Sequence, residues 1–498
     1  MAMMVASLLL DAVVRPHTVN VRRWQGRVLH ALIMTTTFGL CLAGSGNVSV
    51  AAVLSIALMA LLTVASNAKY KMLGEPLVFS DLALIAGVVR HPRFYFTAIS
   101  GRQRVMLAVA ALIALAAFML LFSTQLQPHL AGVGVLLVSG LASLSLLRGR
   151  RMKSVAQAPD LANDLARYGL LATLLLYWRR WRLTQDPQPC PALPPEPQPP
   201  TPTPPELIIP ELIIIVQCES FADPVEIAGP AQHALPGLTN ARATAWQWGN
   251  LDVSGFGAYT MRTEYGVLFG RSETELGFRQ YDPFLTAHGE ASYALSARLG
   301  AIGYRSAFVH PHDMRFYNRD QLMPAVGFDR LIGEEAFALA APGGDRYIDD
   351  RTLGASVIDL IEKAVEPTLI YTVTMENHGP WDSDIARDPR GRLDAYLRHL
   401  ESGDIMLTDL IERLSAHGRP ALLVFFGDHR PSIPGVTAPG NERHTPYVLL
   451  RFDADGPIRD GGPGRIDLTP AGLHHAILGC VRPETAQTGA IALNPREA

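Results

Sequence analysis

The sequence predicts two structural classes in one chain, an α-helical transmembrane domain followed by an α/β domain with a mostly parallel sheet. Up to about Arg182, the 498-residue chain consists of long apolar runs separated by clusters of Arg and Lys. After Glu206, short β-branched runs alternate with amphipathic segments, which is typical of α/β folds. A proline-rich stretch separates the two. We therefore place a membrane domain at 1–182, a linker at 183–210 and a catalytic domain at 211–498.

Four N-terminal stretches are long enough to cross a bilayer, which takes about 20 mostly apolar residues. They are Leu29–Gly46, Val48–Ser66, Val105–Phe122 and Leu130–Leu147. Basic residues in the intervening loops place those loops on the cytoplasmic side. A fifth crossing would have to use the amphipathic segment Leu161–Tyr177. The basic cluster that follows it would then lie on the wrong side, so charge alone leaves the topology open.

The linker reads PQPCPALPPEPQPPTPTPPELIIP between residues 187 and 210. So many prolines favour an extended polyproline II conformation. We interpret the segment as a semi-rigid spacer; a proline-rich ligand for a partner domain is the alternative.

Composition argues against a nucleic-acid partner. The formal net charge is −3, and no basic patch with interleaved aromatic residues is present. The four cysteines lack the spacing of a metal knuckle or a redox motif.

The candidate functional residues follow predicted strands. These strands are Leu212–Val216, Arg305–His310, Thr368–Thr374, Ala421–Phe426 and Tyr447–Arg451. In α/β folds the functional groups gather at the carboxyl ends of the strands. Glu219 follows the first strand, and Asp428 and His429 follow the fourth through Gly427. A carboxylate, an Asp and an imidazole are suitable ligands for a divalent cation, although each could also be an ordinary loop or capping residue.

Thr260 ends a glycine-rich segment, Ser254-Gly255-Phe256-Gly257-Ala258-Tyr259, and precedes a predicted helix. Backbone N–H groups at a helix N-terminus stabilise an incoming phosphate, and a neighbouring metal would activate the hydroxyl. The alternative from local sequence is that Thr260 is only the N-cap of the helix.

Taken together, these motifs resemble the lipoteichoic acid synthase branch of the alkaline phosphatase and sulfatase superfamily. The shared pattern consists of Glu219-Ser220-Phe221, Thr260 with Glu264-Tyr265, Phe316-Tyr317-Asn318-Arg319-Asp320, Thr374-Met375-Glu376-Asn377-His378-Gly379-Pro380 and Gly427-Asp428-His429. Tyr317 stands where close relatives commonly have Trp, so the head-group pocket is expected to differ.

The resemblance implies a sulfatase-like fold and a role for each motif. Glu219, Thr260, Asp428 and His429 would bind one divalent ion, typically Mn²⁺, with Mg²⁺ or Zn²⁺ as alternatives. Thr260 would be the nucleophile. Arg319, Tyr317, His378 and His444 would contact the substrate, and His378 would also protonate the leaving group.

The implied function is transfer of phosphoglycerol from phosphatidylglycerol to a glycan or polyglycerol-phosphate acceptor. The implied location is the bacterial inner membrane, with the catalytic domain facing outward, which requires the fifth crossing. A phosphoethanolamine transferase acting on lipid or glycan is the nearest alternative, and an inactive membrane scaffold is a further one. A sulfatase is disfavoured, since no cysteine stands in the sequence context required for formylglycine formation.

Overall fold

The computed structural model forms two compact units, Met1–Thr184 and Gln185–Ala498. Apart from isolated positions between 105 and 116, the residues it describes are 1–17, 22–83, 118–193, 208–229, 234–337, 347–381, 388–459 and 462–482.

The N-terminal unit is helical. Its described helices are α1 (Ala2–Ala12), α2 (Trp24–Ser45), α3 (Val48–Leu73), α4 (Phe79–Ala83), α5 (Leu126–Arg148), α6 (Leu161–Tyr168) and α7 (Leu170–Leu183). Within the described residues, three helices (α2, α3 and α5) are long and apolar enough to cross a membrane. Three of the four predicted spans are thus confirmed, and the chain is a membrane protein. The predicted span Val105–Phe122 lies largely outside the described residues.

Helices α2 and α5 pack with their backbones in direct contact because glycine lies at the crossing. A Cβ atom on Gly39 would lie 2.5 Å from the Leu136 nitrogen, and one on Gly132 would lie 2.2 Å from the Ala43 nitrogen. Small residues allow this close approach between membrane helices, where dispersion contacts replace the hydrophobic effect as the main attraction.

The segment Leu161–Tyr177 is not one continuous helix. It divides into α6 and α7 at Gly169, whose φ of 84° lies in the left-handed region that favours glycine. The carboxylate of Asp11 then accepts a hydrogen bond from the Leu170 nitrogen at 2.9 Å, at the start of α7. Neither helix is among those long enough to span a bilayer.

The second unit is an α/β domain. Its strands are β1 (Leu212–Cys218), β2 (Gln247–Leu251), β3 (Arg305–Val309), β4 (Arg330–Ile332), β5 (Thr368–Val373), β6 (Ala421–Gly427), β7 (Thr445–Asp453), β8 (Gly456–Ile458) and β9 (Gly464–Arg465). Its helices are α8 (Pro224–Ala228), α9 (Pro236–Thr244), α10 (Thr260–Phe269), α11 (Glu273–Leu276), α12 (Leu295–Gly300), α13 (Arg319–Ala325), α14 (Asp350–Lys363), α15 (Pro389–His417) and α16 (Pro470–Val481).

The described strands form one sheet in the order β4-β3-β5-β1-β6-β7-β2-β9, with β8 paired to β7. The strands from β4 to β6 in this order are parallel, whereas β7 is antiparallel to both β6 and β2. The predicted mostly parallel sheet is therefore confirmed. Strands β1 and β6 are buried along their whole length, which explains their unbroken apolar runs. The carboxyl ends of β3, β5, β1 and β6 meet at one edge.

Candidate active site

The ends of β1 and β6 bring three predicted ligands together. Cys218 is paired with Gly427 in the parallel register, so Glu219 emerges beside Asp428 and His429. The ligand atoms of these three side chains lie within 4.8 Å of one another, and all three are buried. Residues 209 positions apart in the chain thus form one potential metal site.

Surrounding hydrogen bonds orient the cluster. Asp428 Oδ1 accepts hydrogen bonds from the Ser220 and His429 nitrogens, both at 2.8 Å. His429 Nδ1 lies 3.2 Å from the Arg430 carbonyl, to which it donates. Its Nε2 lies 3.5 Å from carboxylate oxygens of both Glu219 and Asp428 and is thus the ring atom directed into the cluster. Such a partner on the second ring nitrogen is usual for a metal-binding histidine.

The electrostatics of the cluster favour a bound cation. Asp428 Oδ2 is buried and has no hydrogen-bond donor among the described residues. Burial and the neighbouring Glu219 raise the pKa of Asp428 to about 6. Buried carboxylates of this kind require a counter-charge. The donor set of two carboxylates and an imidazole fits a divalent metal ion.

Thr260 is the first residue of α10, and its Oγ1 lies 3.5 Å from His429 Nε2. The N-cap position belongs to Tyr259, so Thr260 is not the cap that the local sequence also allowed. No side chain among the described residues caps this helix. Backbone N–H groups at the helix start are thus directed towards the same region as the Thr260 hydroxyl, an arrangement suited to an anionic ligand.

Backbone strain is concentrated beside these residues. Five described non-glycine residues have positive φ; one of them, Tyr317 (59°), is a predicted site residue, and three adjoin one: Ser220 (51°), Tyr259 (80°) and Asn318 (55°). Such conformations cost about 1–3 kcal/mol each and tend to occur at functional sites. The fifth, Ala156, lies in the membrane unit.

Arg319 is buried and ion-paired. Its Nε and Nη2 atoms donate to the two carboxylate oxygens of Glu264 at 3.1 and 2.5 Å. Its Nη1 lies 3.3 Å from His310 Nε2, while His310 Nδ1 donates to the Val373 carbonyl. Burial by itself would lower the pKa of Arg319, but Glu264 raises it above its usual value. The guanidinium is thus charged and held in one orientation.

The sequence analysis missed His310 and the partner role of Glu264. His310 is buried at the end of β3, the position that singled out Glu219 and Asp428 on their own strands. Burial, followed by the charge of Arg319, lowers its pKa well below the usual value, so the ring is neutral. The same strand-end criterion could have identified it.

Aromatic and histidine rings line the region beside Arg319. The Arg319 guanidinium lies 5.2 Å from the centroid of the Tyr317 ring. The ring of His312 lies 6.0 Å from those of both His310 and Tyr347, and Tyr347 lies 5.9 Å from His378. His378 Nδ1 donates to the Gly379 carbonyl at 2.7 Å. Tyr317 thus lies beside Arg319, and His378 is joined to the same region through Tyr347 and His312.

His444 is connected to the cluster through Arg430. Its Nε2 lies 3.0 Å from both Arg430 Nη2 and a carboxylate oxygen of Glu226. None of its contacts among the described residues reaches the side chains of Glu219, Asp428 or His429. The structure therefore places His444 at the margin of the cluster.

Metal binding should depend on pH through Asp428. Its pKa in the metal-free fold exceeds the unfolded value of 3.8, so its proton stabilises the fold at low pH and this contribution is lost as pH rises through 6. A cation must displace that proton below pH 6, and its apparent affinity should fall about tenfold per pH unit there. We expect Mn²⁺ to raise the melting temperature more at pH 7.5 than at pH 5.5.

The measurement is thermal unfolding of the full chain in detergent, with Mn²⁺ or with a chelator. Asp428→Asn should lose most of the shift, whereas Asp409→Asn, an exposed site on α15, should keep it. Equal shifts at both pH values would contradict the prediction.

The Glu264–Arg319 pair should contribute strongly to stability. Glu264→Gln leaves the guanidinium buried without a counter-charge, and breaking a buried pair costs about 3–5 kcal/mol. Because Gln can still accept a hydrogen bond, we expect a loss near the lower value in denaturant unfolding. The double variant Glu264→Gln/Arg319→Met should recover part of it.

The control is Glu401→Gln, an exposed carboxylate on α15, which should change stability by no more than about 0.5 kcal/mol. A loss in Glu264→Gln no larger than in this control would show that the pair does not stabilise the fold.

Comparisons with known proteins identify the family of the second unit. The family model described as Sulfatase matches residues 211–476. The capsular polysaccharide biosynthesis protein RkpI of Rhizobium meliloti is 28% identical over 431 residues, which cover 83% of this chain and 80% of that protein. Lipoteichoic acid synthase 1 of Bacillus subtilis is 23% identical over 137 residues, 26% of this chain and 21% of that protein.

Among solved structures, the lipooligosaccharide phosphoethanolamine transferase EptA of Neisseria meningitidis has a TM-score of 0.54 at 12% identity, covering 96% of this chain and 95% of that one. This likeness supports the fold of a membrane domain followed by a sulfatase-like domain. The resemblance inferred from the motifs is confirmed. The chain belongs to the sulfatase family, within the alkaline phosphatase superfamily of phosphotransferases and sulfatases.

Proposed function

We propose that this protein is a metal-dependent phosphoglycerol transferase that uses phosphatidylglycerol as donor and Thr260 as nucleophile. One observation carries the proposal: the Thr260 hydroxyl lies at an uncapped helix N-terminus, 3.5 Å from His429 Nε2 in a buried cluster suited to a divalent ion. The choice of glycerol over other head groups rests on the motif pattern.

Each residue has a role in the proposed reaction. Thr260 Oγ1 gives up its proton to solvent and forms a bond to phosphorus, and the bond from phosphorus to the diacylglycerol oxygen breaks. Arg319 binds the phosphoryl oxygens, and its ion pair with Glu264 fixes the orientation of the guanidinium. His378 donates a proton to the departing oxygen through Nε2, because Nδ1 is engaged with the Gly379 carbonyl. An acceptor hydroxyl then gives its proton to the now neutral His378 and attacks the phosphothreonine, and Thr260 takes a proton back from solvent as it leaves.

The proposed cofactor is one Mn²⁺ held by Glu219, Thr260, Asp428 and His429. When bound, it would lower the pKa of the Thr260 hydroxyl and offset negative charge on the phosphoryl group. Tyr317 and His444 are proposed to contact the substrate, Tyr317 from beside Arg319 and His444 from the margin.

The acceptor is proposed to be a glycan or polyglycerol phosphate outside the inner membrane. The name of the relative RkpI refers to capsular polysaccharide biosynthesis, which favours a glycan. We propose that the catalytic domain faces outward, where such acceptors are found. The donor is a lipid, which fits a chain with membrane helices.

The test is release of diacylglycerol from labelled phosphatidylglycerol by the full chain in lipid nanodiscs. We expect release that requires Mn²⁺ and falls at least a hundredfold in Thr260→Ala, because the nucleophile is lost. Thr239→Ala on α9, an exposed threonine, should behave as the wild type.

Other outcomes reassign the protein. Release from phosphatidylethanolamine alone would make it a phosphoethanolamine transferase. Release from neither lipid would identify a scaffold, and equal release by Thr260→Ala would exclude the covalent mechanism.

A further inference from the structure

A cavity lies beside α10, the helix that begins at Thr260. Its volume is about 400 Å³, within the usual range for a small-molecule pocket. It is bounded by the loop after β2, by α10, by residues 271–276, by residues 441–443 and by the start of α16.

The cavity shares two walls with the proposed metal site. Thr263 lines it and donates a hydrogen bond to the Asp428 carbonyl at 2.7 Å. Ser254 also lines it, and a Cβ on the adjoining Gly255 would lie 3.5 Å from His429 Cβ. A single layer of residues therefore separates the cavity from the cluster.

The cavity is nevertheless distinct from the site of Thr260. An α-helix turns about 100° per residue, so Arg262 and Gly266, which line the cavity, lie roughly 200° and 240° around α10 from Thr260. The cavity therefore faces the opposite side of the helix. A ligand there would sit next to the reacting groups without touching them.

The polar groups of the cavity match a neutral, hydroxyl-rich ligand. Five lining side chains form no hydrogen bond or ion pair with the described residues: Asp252, Glu273, Thr274, Gln280 and Asn441. Towards a polyol, carboxylates accept hydrogen bonds, whereas amides and hydroxyls both donate and accept them.

The three arginines of the cavity already have partners. Arg271 pairs with Glu290, Arg443 donates to the Ser254 carbonyl, and Arg262 donates to the Tyr281 carbonyl at 3.3 Å. Arg443 bonds carbonyls and no carboxylate among the described residues, so its positive charge stands beside the negative charges of Asp252 and Glu273. The carboxylates outnumber this guanidinium, which disfavours a phosphate-rich polymer, and they accept hydrogen bonds from sugar hydroxyls.

We propose that this cavity binds neutral sugar residues of the acceptor, which makes the acceptor a glycan and not polyglycerol phosphate. The inference rests on the proposed transferase function. Sugar units bound behind α10 would keep a long acceptor chain close to the phosphothreonine while a more distant hydroxyl reacts. Binding of this kind raises the effective concentration of the reacting hydroxyl.

The test measures glycan binding directly on the full chain in nanodiscs. Cellohexaose, laminarihexaose and chitohexaose serve as neutral probes, with dissociation constants taken from saturation-transfer NMR. We expect at least one to bind, and the double variant Asn441→Ala/Gln280→Ala to weaken binding at least tenfold. Asn240→Ala, an exposed asparagine on α9, should change binding less than twofold and keep the wild-type rate of diacylglycerol release.

Binding of none of the probes, or equal binding by the double variant, would overturn the inference. The inference would also be overturned if polyglycerol phosphate bound more tightly than the neutral probes and the double variant weakened that binding. Diacylglycerol release by the wild type without any glycan tests the proposed function separately. If the wild type releases diacylglycerol but binds no glycan, only the proposal about the cavity fails. If it binds a glycan in the cavity but shows no release that depends on Thr260, only the proposed transferase function fails.

Discussion

The concentration of negative charge at the ends of β1 and β6 is the constraint on which the site depends. Glu219 and Asp428 are almost completely buried together with His429, and one oxygen of Asp428 has no donor among the described residues. Such an arrangement is unfavourable unless a cation completes it. The fold maintains it because both carboxylates follow strands locked in one register at the centre of the sheet.

Helix α10, which begins at Thr260, is tied to the rest of the domain on several sides. Three consecutive residues of α10 form hydrogen bonds with different partners. Thr263 donates to the carbonyl of Asp428, and Tyr265 donates to the carboxylate of Glu290. Between them, Glu264 accepts from the guanidinium of Arg319. All ten residues of the helix are buried. The hydroxyl at its start is therefore held in place before any substrate binds, which reduces the cost of orienting the reacting groups.

The antiparallel part of the sheet and the glycine-rich loop form part of the wall of the cavity beside α10. Strand β7 runs antiparallel to β6, and β2 pairs with β7. The residues that follow β2 on the way to Thr260 line the cavity together with one side of α10. Residues from distant parts of the chain, such as Asp252 and Asn441, then face each other across a single space. No local pattern in the sequence marks them as neighbours.

By itself, the sequence determined the elements that depend on local patterns. Unbroken apolar runs indicated β1 and β6, a glycine-rich segment indicated the start of α10, and long apolar runs indicated three of the membrane helices. These predictions succeeded because burial and periodicity are properties of contiguous residues.

Only the tertiary structure decided which side chains meet. It paired Arg319 with Glu264, placed His310 behind that pair, made Tyr259 and not Thr260 the cap of α10, and divided Leu161–Tyr177 at Gly169. Each outcome depends on contacts between residues far apart in the chain or on a single backbone angle. Local sequence preference is too weak to specify such contacts, because their energies arise only when the sheet and helices pack.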